Sequence, residues 1–386
     1  MYIILIYIYI PVYIHVHCIT AAFGMVSRVQ RVQLCEDEQS YFQLMEDTKF
    51  ERFWDVIQEF SFPAFFVPLT PQAAQWLIDA HKQFTSSQES GCSFTLADHL
   101  GLLEICRRIN CEARDRGWFH DNEESEGMRG IFVRLSTRSP KDSVMFRSSL
   151  AEALRLEFGA LIEIERANAT TTTESTVLHA LYRTAVAVNR CVSAEMAFQL
   201  LVESHRIQGD LEHYVAKSLL DPSNAPIFNF VVRPFVQFDV ENEFRAFVFK
   251  RRLTAITQYN ELCYFPRLQV CHDAVCRAMM DTAAKLILSL PPTLDNCVID
   301  FVCIDEPAGW TARIVEINPM AEFAGSGLFS FEKDWRVLQG HDPFEFRFRK
   351  DASHVKLALR QMSDDWKSVI RKADIPGLLV DRPHKA

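Results

Sequence analysis

A mixed α+β fold, with helices packed against antiparallel hairpins, is what this 386-residue sequence predicts. Three observations carry that prediction. Two pairs of apolar, strand-like runs are each joined by a short turn, one pair within 243–259 and the other within 297–317. Helical apolar spacing fills the stretches before and between them. Glycine supplies only 13 residues, and neither G-x-G-x-x-G nor G-x-x-x-x-G-K-[ST] occurs. The doubly wound folds built on those loops are therefore set aside. The length suits two compact units. With 41 basic against 50 acidic residues the formal charge is −9, which argues against nucleic acid as the main partner.

The first stretch, Met1 to Phe23, is apolar, but Pro11 interrupts it and no Lys or Arg precedes it. A secretory signal needs a basic leading region. Tyr7-Ile-Tyr-Ile10 is what a repeated TA dinucleotide would encode, and Met25 follows closely. Residues 1–24 are thus read as an extension ahead of the true start; a genuine membrane anchor is the alternative, and otherwise no membrane is expected. A lobe of mixed helices is expected over 25–220, a strand-rich lobe over 221–350 and a helical tail over 351–386. Within the first lobe, Trp54, Ile57 and Phe60 share a helical face, and Ser61 to Pro68 turns into a buried extended run. Leu96 to Arg114 reads as a helix with Leu102, Ile105, Cys106 and Ile109 inward. Asp121 to Glu126 is an acidic loop. Ile131-Phe-Val-Arg-Leu135 is a short strand that exits into Ser136-Thr-Arg-Ser-Pro-Lys-Asp142. A Thr-rich linker, 167–175, precedes long helical texture from Thr176 to Lys217, where Ser193 is placed to cap a helix.

Past Pro226 the pattern changes to strands: Phe228–Val236, Glu243–Phe249 and Leu253–Tyr259, the last two joined by a basic Lys250-Arg-Arg turn. A helix over Ala274–Leu290 precedes the second hairpin, Cys297–Ile304 and Thr311–Ile317. The eleven cysteines include no C-x-x-C pair. Free thiols in a reducing compartment are expected, with Cys106, Cys111, Cys271 and Cys276 buried in helices rather than bound to zinc.

The second hairpin carries the sharpest chemistry. If its turn centres near Ala308, Asp300 faces Glu316, and Asn318 shares their side of the sheet by alternation. Facing carboxylates repel. Two of them beside an amide oxygen are suited to a hard cation, Mg²⁺ above all; a solvent-facing acidic strand pair is the plainer alternative. On this reading, removing one carboxylate costs the apo fold little. Arg233 and Arg245 lie within apolar strands, where an unpaired charge is costly. They serve either as a phosphate clamp or as members of internal ion pairs, for instance Glu243 with an arginine on a neighbouring strand. As a clamp, Arg245 would be replaceable by alanine without loss of fold. Arg134, Arg138 and Lys141, around Ser139-Pro140, add a basic element at a strand exit.

These residues resemble the cell division cycle protein 123 family, whose members adopt an ATP-grasp fold. The resemblance spans roughly Phe132 to Arg347 in ordered blocks: Phe132-Val-Arg-Leu with Ser139-Pro-Lys-Asp; Leu200-Leu-Val-Glu-Ser204 with Asp210-Leu; Val232-Arg-Pro-Phe235; Glu243-Phe-Arg-Ala-Phe-Val; Thr257-Gln-Tyr259; Val298-Ile-Asp-Phe-Val; Val315-Glu-Ile-Asn-Pro319; and Glu345-Phe-Arg347. It departs where the family has a lysine and this chain has Arg134, where Asn-Trp-Ser becomes Ser136-Thr-Arg, where a lysine becomes Pro234, and where an Asp becomes Glu316. A diverged member is implied.

The resemblance implies two lobes around a nucleotide cleft. ATP would be held by Arg134, Ser139, Lys141, Arg233, Phe235, Glu243, Arg245 and Gln258, and Mg²⁺ by Asp300, Glu316 and Asn318. It further implies a cytoplasmic assembly chaperone for eukaryotic translation initiation factor 2, binding that factor's gamma subunit, with a role in cell-cycle entry. An ATP-grasp ligase forming an acyl phosphate, or a nucleotide-binding scaffold, remains open. No catalytic residue is assigned.

Overall fold

Alternation along the strands gives each of two β-sheets one apolar face, and helices cover those faces. The computed structural model describes residues 38–90, 96, 99–119, 130–165 and 173–375; the expectations for residues 1–24 and the acidic loop, and most of the Thr-rich linker, lie outside them. In chain order the helices are α1 (Glu38–Asp47), α2 (Trp54–Ile57), α3 (Pro71–Ser90), α4 (Leu100–Asp115), α5 (Leu150–Glu165), α6 (Thr173–Ala187), α7 (Ala194–Glu203), α8 (His205–Leu220), α9 (Leu268–Leu286), α10 (Trp335–Leu338), α11 (Val355–Gln361) and α12 (Asp364–Lys372). The strands are β1 (Phe65–Pro68), β2 (Ile131–Leu135), β3 (Asn229–Pro234), β4 (Glu243–Phe249), β5 (Arg252–Gln258), β6 (Cys297–Glu306), β7 (Gly309–Pro319) and β8 (Glu345–Arg347).

The smaller sheet has the order β1-β3-β2, all antiparallel. Val67, Val133, Leu135, Phe230 and Val232 point to one side and bury against α3, α4, α7 and α8 through Leu77, Leu102, Phe198 and Leu211. Phe132, Arg134, Val231 and Arg233 occupy the opposite face. Strand β3 belongs to this sheet. Drawing the lobe boundary at 220/221 from sequence places β3 with the later strands; its register instead pairs it with β1 and β2, a choice set by partners more than 90 residues away.

The larger sheet runs β7-β6-β4-β5-β8. Its hairpins are antiparallel as expected, but β8 pairs in parallel with β5, so the sheet is mixed. The β4–β5 turn consists of Lys250 and Arg251 at φ 48° and 58°. A two-residue turn of that hand usually takes Asn-Gly. Here Asn296 Oδ1 accepts the Lys250 N–H at 2.9 Å, and Arg251 Nε donates to Asp295 Oδ1 at 2.6 Å. Phe244, Ile256, Phe301 and Ile317 bury against α9 through Val275 and Met279. The opposite face is split: Phe247, Ala255, Val298, Phe329 and Leu338 fill one end, and charged residues fill the other.

The stretch read as one long helical texture is three helices. Each break is a serine cap: Ser193 Oγ accepts Met196 N–H at 3.4 Å, and Ser204 Oγ accepts Ile207 N–H at 3.2 Å. Ser193→Ala should lower unfolding free energy by about 1 kcal/mol, read from denaturant midpoints; an unchanged midpoint would remove the cap from the account. The cysteine expectation holds in part. All eight cysteines among the described residues are free, and Cys106 is buried, with burial pushing its thiol up to about 12. Cys111 is exposed, and Cys271 and Cys276 are half-buried. Five residues is well over one helical turn, so Cys106 and Cys111 cannot share the inward face of α4. Among the described residues, no helix is long and apolar enough to cross a membrane.

Candidate functional site

The polar face of the larger sheet meets the arginine face of the smaller one, and the second hairpin's register decides which groups meet. Its closing pair is Glu306 and Gly309, so the turn is Pro307-Ala308, half a residue earlier than the Ala308-centred turn expected. Followed without interruption, that register would set Asp300 opposite Val315. A bulge at Val315 restores the expected pairing: Asp300 faces Glu316 and Val298 faces Asn318. Bulges re-aim side chains in this way beside functional sites. The same bulge presents the Val315 carbonyl to Arg233, whose Nη1 donates to it at 2.7 Å.

Asp300, 1% exposed, accepts two hydrogen bonds from Arg245, Nε to Oδ1 and Nη2 to Oδ2, both at 2.8 Å. Asn318 Nδ2 adds a third at 2.9 Å to Oδ2. The remaining Arg245 nitrogen donates to the carbonyls of Ala324 and Gly325, and the guanidinium lies over the Tyr259 ring at 4.9 Å. Gly325 sits at φ 82°, and a Cβ there would come within 3.0 Å of Arg245 Nη1, so only glycine suits this approach. Arg245 is therefore an internal ion-pair member. The expectation that it could be removed without touching the fold is corrected by these contacts, and its partner is Asp300.

Glu316 is held from the other sheet. Arg134 Nη1 donates to Oε2 at 2.5 Å, and Lys141 Nζ lies 3.6 Å from Oε1. Burial works against its ionisation, but Lys141 and Arg134 outweigh burial and hold the carboxyl far below its usual range. Lys141 also donates to Tyr259 Oη at 3.2 Å. The two facing carboxylates thus carry their own cations, so the expectation that either could be neutralised cheaply is also corrected.

Arg233 is 6% exposed. Its acceptors are the Val315 carbonyl, Ser61 Oγ at 2.9 Å and the Phe62 carbonyl at 3.2 Å. It forms no ion pair among the described residues. Burial first, and the neighbouring Arg134 second, push its guanidinium down to about 9. Glu243 is buried on the same sheet face as Arg245. Its carboxyl is pushed up to about 7 by burial, with Lys141 opposing and Asp300 and Glu316 adding to the rise.

That shift gives a pH prediction. Glu243 in the folded protein holds its proton between pH 4.5 and 7, where the unfolded chain releases it. The folded state binds more protons there, so stability falls as pH rises through the window, by up to about 3 kcal/mol. Glu243→Gln should remove that share of the slope and raise stability at pH 8. Parallel urea curves at pH 5 and 8 test it; equal slopes in parent and variant would refute it.

Of the other predicted residues, Ser139 is buried in the loop just before Lys141, and Phe235 is buried past the end of β3 with its N–H on the Gly130 carbonyl. Gln258 is not in the cluster. It pairs with Phe244, one position out of phase with Arg245 and Thr257. Its amide is consumed by the carbonyls of Asn260 and Cys263 and by the Arg349 N–H. Tyr259 takes the place between Arg245 and Lys141 instead, and parity along β5 could have picked it out. Asp142 was also missed as a structural member: it accepts the Ser204 hydroxyl and the Arg206 N–H at the start of α8.

Arg134, Lys141, Arg233 and Arg245 thus meet Asp300, Glu316 and a readily protonated Glu243, an excess of positive charge in a largely buried setting. Such a site can take an anion. Among the described residues no group of three His, Cys, Asp or Glu side chains stands ready for a metal. Asp300, Glu316 and Asn318 offer two carboxylates and an amide, the oxygen chemistry Mg²⁺ takes alongside phosphate and water. They would serve it only by exchanging their present arginine partners.

A family model, D123, matches residues 180–368. Among solved structures, Cdc123 from Schizosaccharomyces pombe aligns with a TM-score of 0.52 at 16% identity, over 80% of this chain and 98% of that one. A C-terminally truncated form of the same protein aligns equally well. At that identity the likeness is one of fold, and it carries the α+β, ATP-grasp-like class expected from sequence. No curated protein sequence matches the chain.

Proposed function

The chain belongs to the D123 family across residues 180–368, and from that premise we propose that it is a cytosolic, Mg-ATP-binding assembly chaperone acting on the gamma subunit of translation initiation factor 2. The observation that carries the nucleotide reading is the buried excess of positive charge, above all Arg233, whose hydrogen bonds among the described residues all go to carbonyl and hydroxyl oxygens. Arg134, Lys141, Arg233 and Arg245 would take the phosphates, releasing Asp300 and Glu316. Those two, with Asn318, would hold Mg²⁺, which supplies neutralisation of phosphate charge when bound. The binding event is then a partner exchange, in which Arg134, Lys141 and Arg245 leave carboxylates for phosphates and Arg233 leaves its carbonyl and hydroxyl acceptors.

Calorimetric titration of the full chain with ATP, in Mg²⁺ and in EDTA, tests the site; absence of binding in both would end the nucleotide reading. Affinity capture from native lysate with and without Mg-ATP tests the partner. Enrichment of the factor's gamma subunit supports the chaperone role, and its consistent absence refutes that role.

A further inference from the structure

A cavity of about 360 Å³ opens at the opposite end of the larger sheet, beside its edge strand β8. This is within the range of small-ligand sites. It is distinct from the charged cluster: β8 is the far edge strand, two strands from the β4 that carries Glu243 and Arg245 and three and four from β6 and β7, and none of the cluster's side chains lines the cavity. Its lining combines aromatic and basic residues, among them Phe346, Phe348, Arg349, Lys350 and His354. Neighbouring Arg347 also lines it but is committed internally, to Asp334 at 2.8 Å and Glu345 at 2.7 Å.

Arg349 and Lys350 differ from Arg347 in this respect. Arg349 Nε donates to the Glu261 carbonyl at 2.8 Å, and neither side chain forms an ion pair among the described residues. Lys350 Nζ rests over the Phe348 ring at 3.4 Å. Asp351, the one acid in the lining, turns an oxygen to the Ser353 N–H at 2.8 Å. His354 Nε2 lies 2.9 Å from the Leu262 carbonyl; as the donor of that bond it leaves Nδ1 as the ring's remaining polar atom. Two adjacent cations with no ion pair among the described residues, Arg349 feeling Glu261 and Asp351 only at longer range, on a cavity floored by phenylalanines, suit a ligand with an apolar body and a doubly charged head.

We propose that this cavity is a second binding site, for a small organic phosphate monoester, with Arg349 and Lys350 engaging the phosphate and Phe346 and Phe348 the body. Two cations match a dianion better than a carboxylate's single charge.

The test uses the full chain and phenyl phosphate as probe, with benzoate and inorganic phosphate as comparison arms, in saturating Mg-ATP so that the inter-sheet cluster does not contribute. Lys350 is exposed, so Lys350→Glu is expected to fold with the parent's melting temperature. Its phenyl phosphate affinity should fall by roughly tenfold or more, the share expected of one charge-assisted bond. Lys350→Arg should keep the affinity. Benzoate binding as tightly as phenyl phosphate would overturn the phosphate assignment. Equal affinity in parent and Lys350→Glu, or no binding at millimolar probe, would overturn the site.

Discussion

Replacing Arg245 with alanine is expected to lower the unfolding free energy by about 3–5 kcal/mol, because it strands a buried carboxylate. Asp300 is 1% exposed and takes two of its three hydrogen bonds from Arg245. Left alone, it can escape only by taking a proton, which becomes harder as pH rises. The loss should therefore be larger at pH 8 than at pH 5. Arg245→Met combined with Asp300→Leu should recover most of it, since matched apolar groups replace a buried pair at little net cost. Urea unfolding of the single and double variants measures all of this. A single-variant loss below about 1 kcal/mol, typical of exposed pairs, would mean that the bidentate contact does not form in solution.

Glu316→Gln should produce the second large effect, and in two opposite directions. Stability should fall by about 3 kcal/mol, because Arg134, buried beside Arg233, and the half-buried Lys141 lose their shared counter-charge. Binding of tripolyphosphate in EDTA should tighten, since the same cations are no longer neutralised from within. Added Mg²⁺ should help the variant less than the parent, because one of the metal's two carboxylates is gone. Calorimetry with and without Mg²⁺ reads the second half, and melting reads the first. If tripolyphosphate bound parent and variant alike, Glu316 would not be the group that competes with the anion, and the exchange of partners would fail with it.

The hairpin pattern, β4–β5 and β6–β7, was legible in the sequence because strand periodicity is local: apolar alternation and a turn need only a dozen residues. The shared face of Asp300, Glu316 and Asn318 was legible for the same reason, although the bulge at Val315 that preserves the pairing was not. Parity also contained the correction at Gln258, whose phase on β5 sets it behind the sheet. Residue identity likewise marked Ser193 as a cap.

What the tertiary structure alone decided was who neutralises whom. Arg134 and Glu316 are 182 residues apart, and Arg245 meets Asp300 only because β4 pairs with β6 rather than with a strand of the first lobe. A buried charge must find a partner, and a sequence shows that need without showing the supplier. The supplier depends on which sheet faces meet. That in turn was settled by β3 joining β1 and β2, and by apolar faces turning toward α9 on one sheet and α7 on the other. Local pattern sets the direction of each side chain; packing of the whole chain sets what stands opposite, and at this site the electrostatics follow from the second.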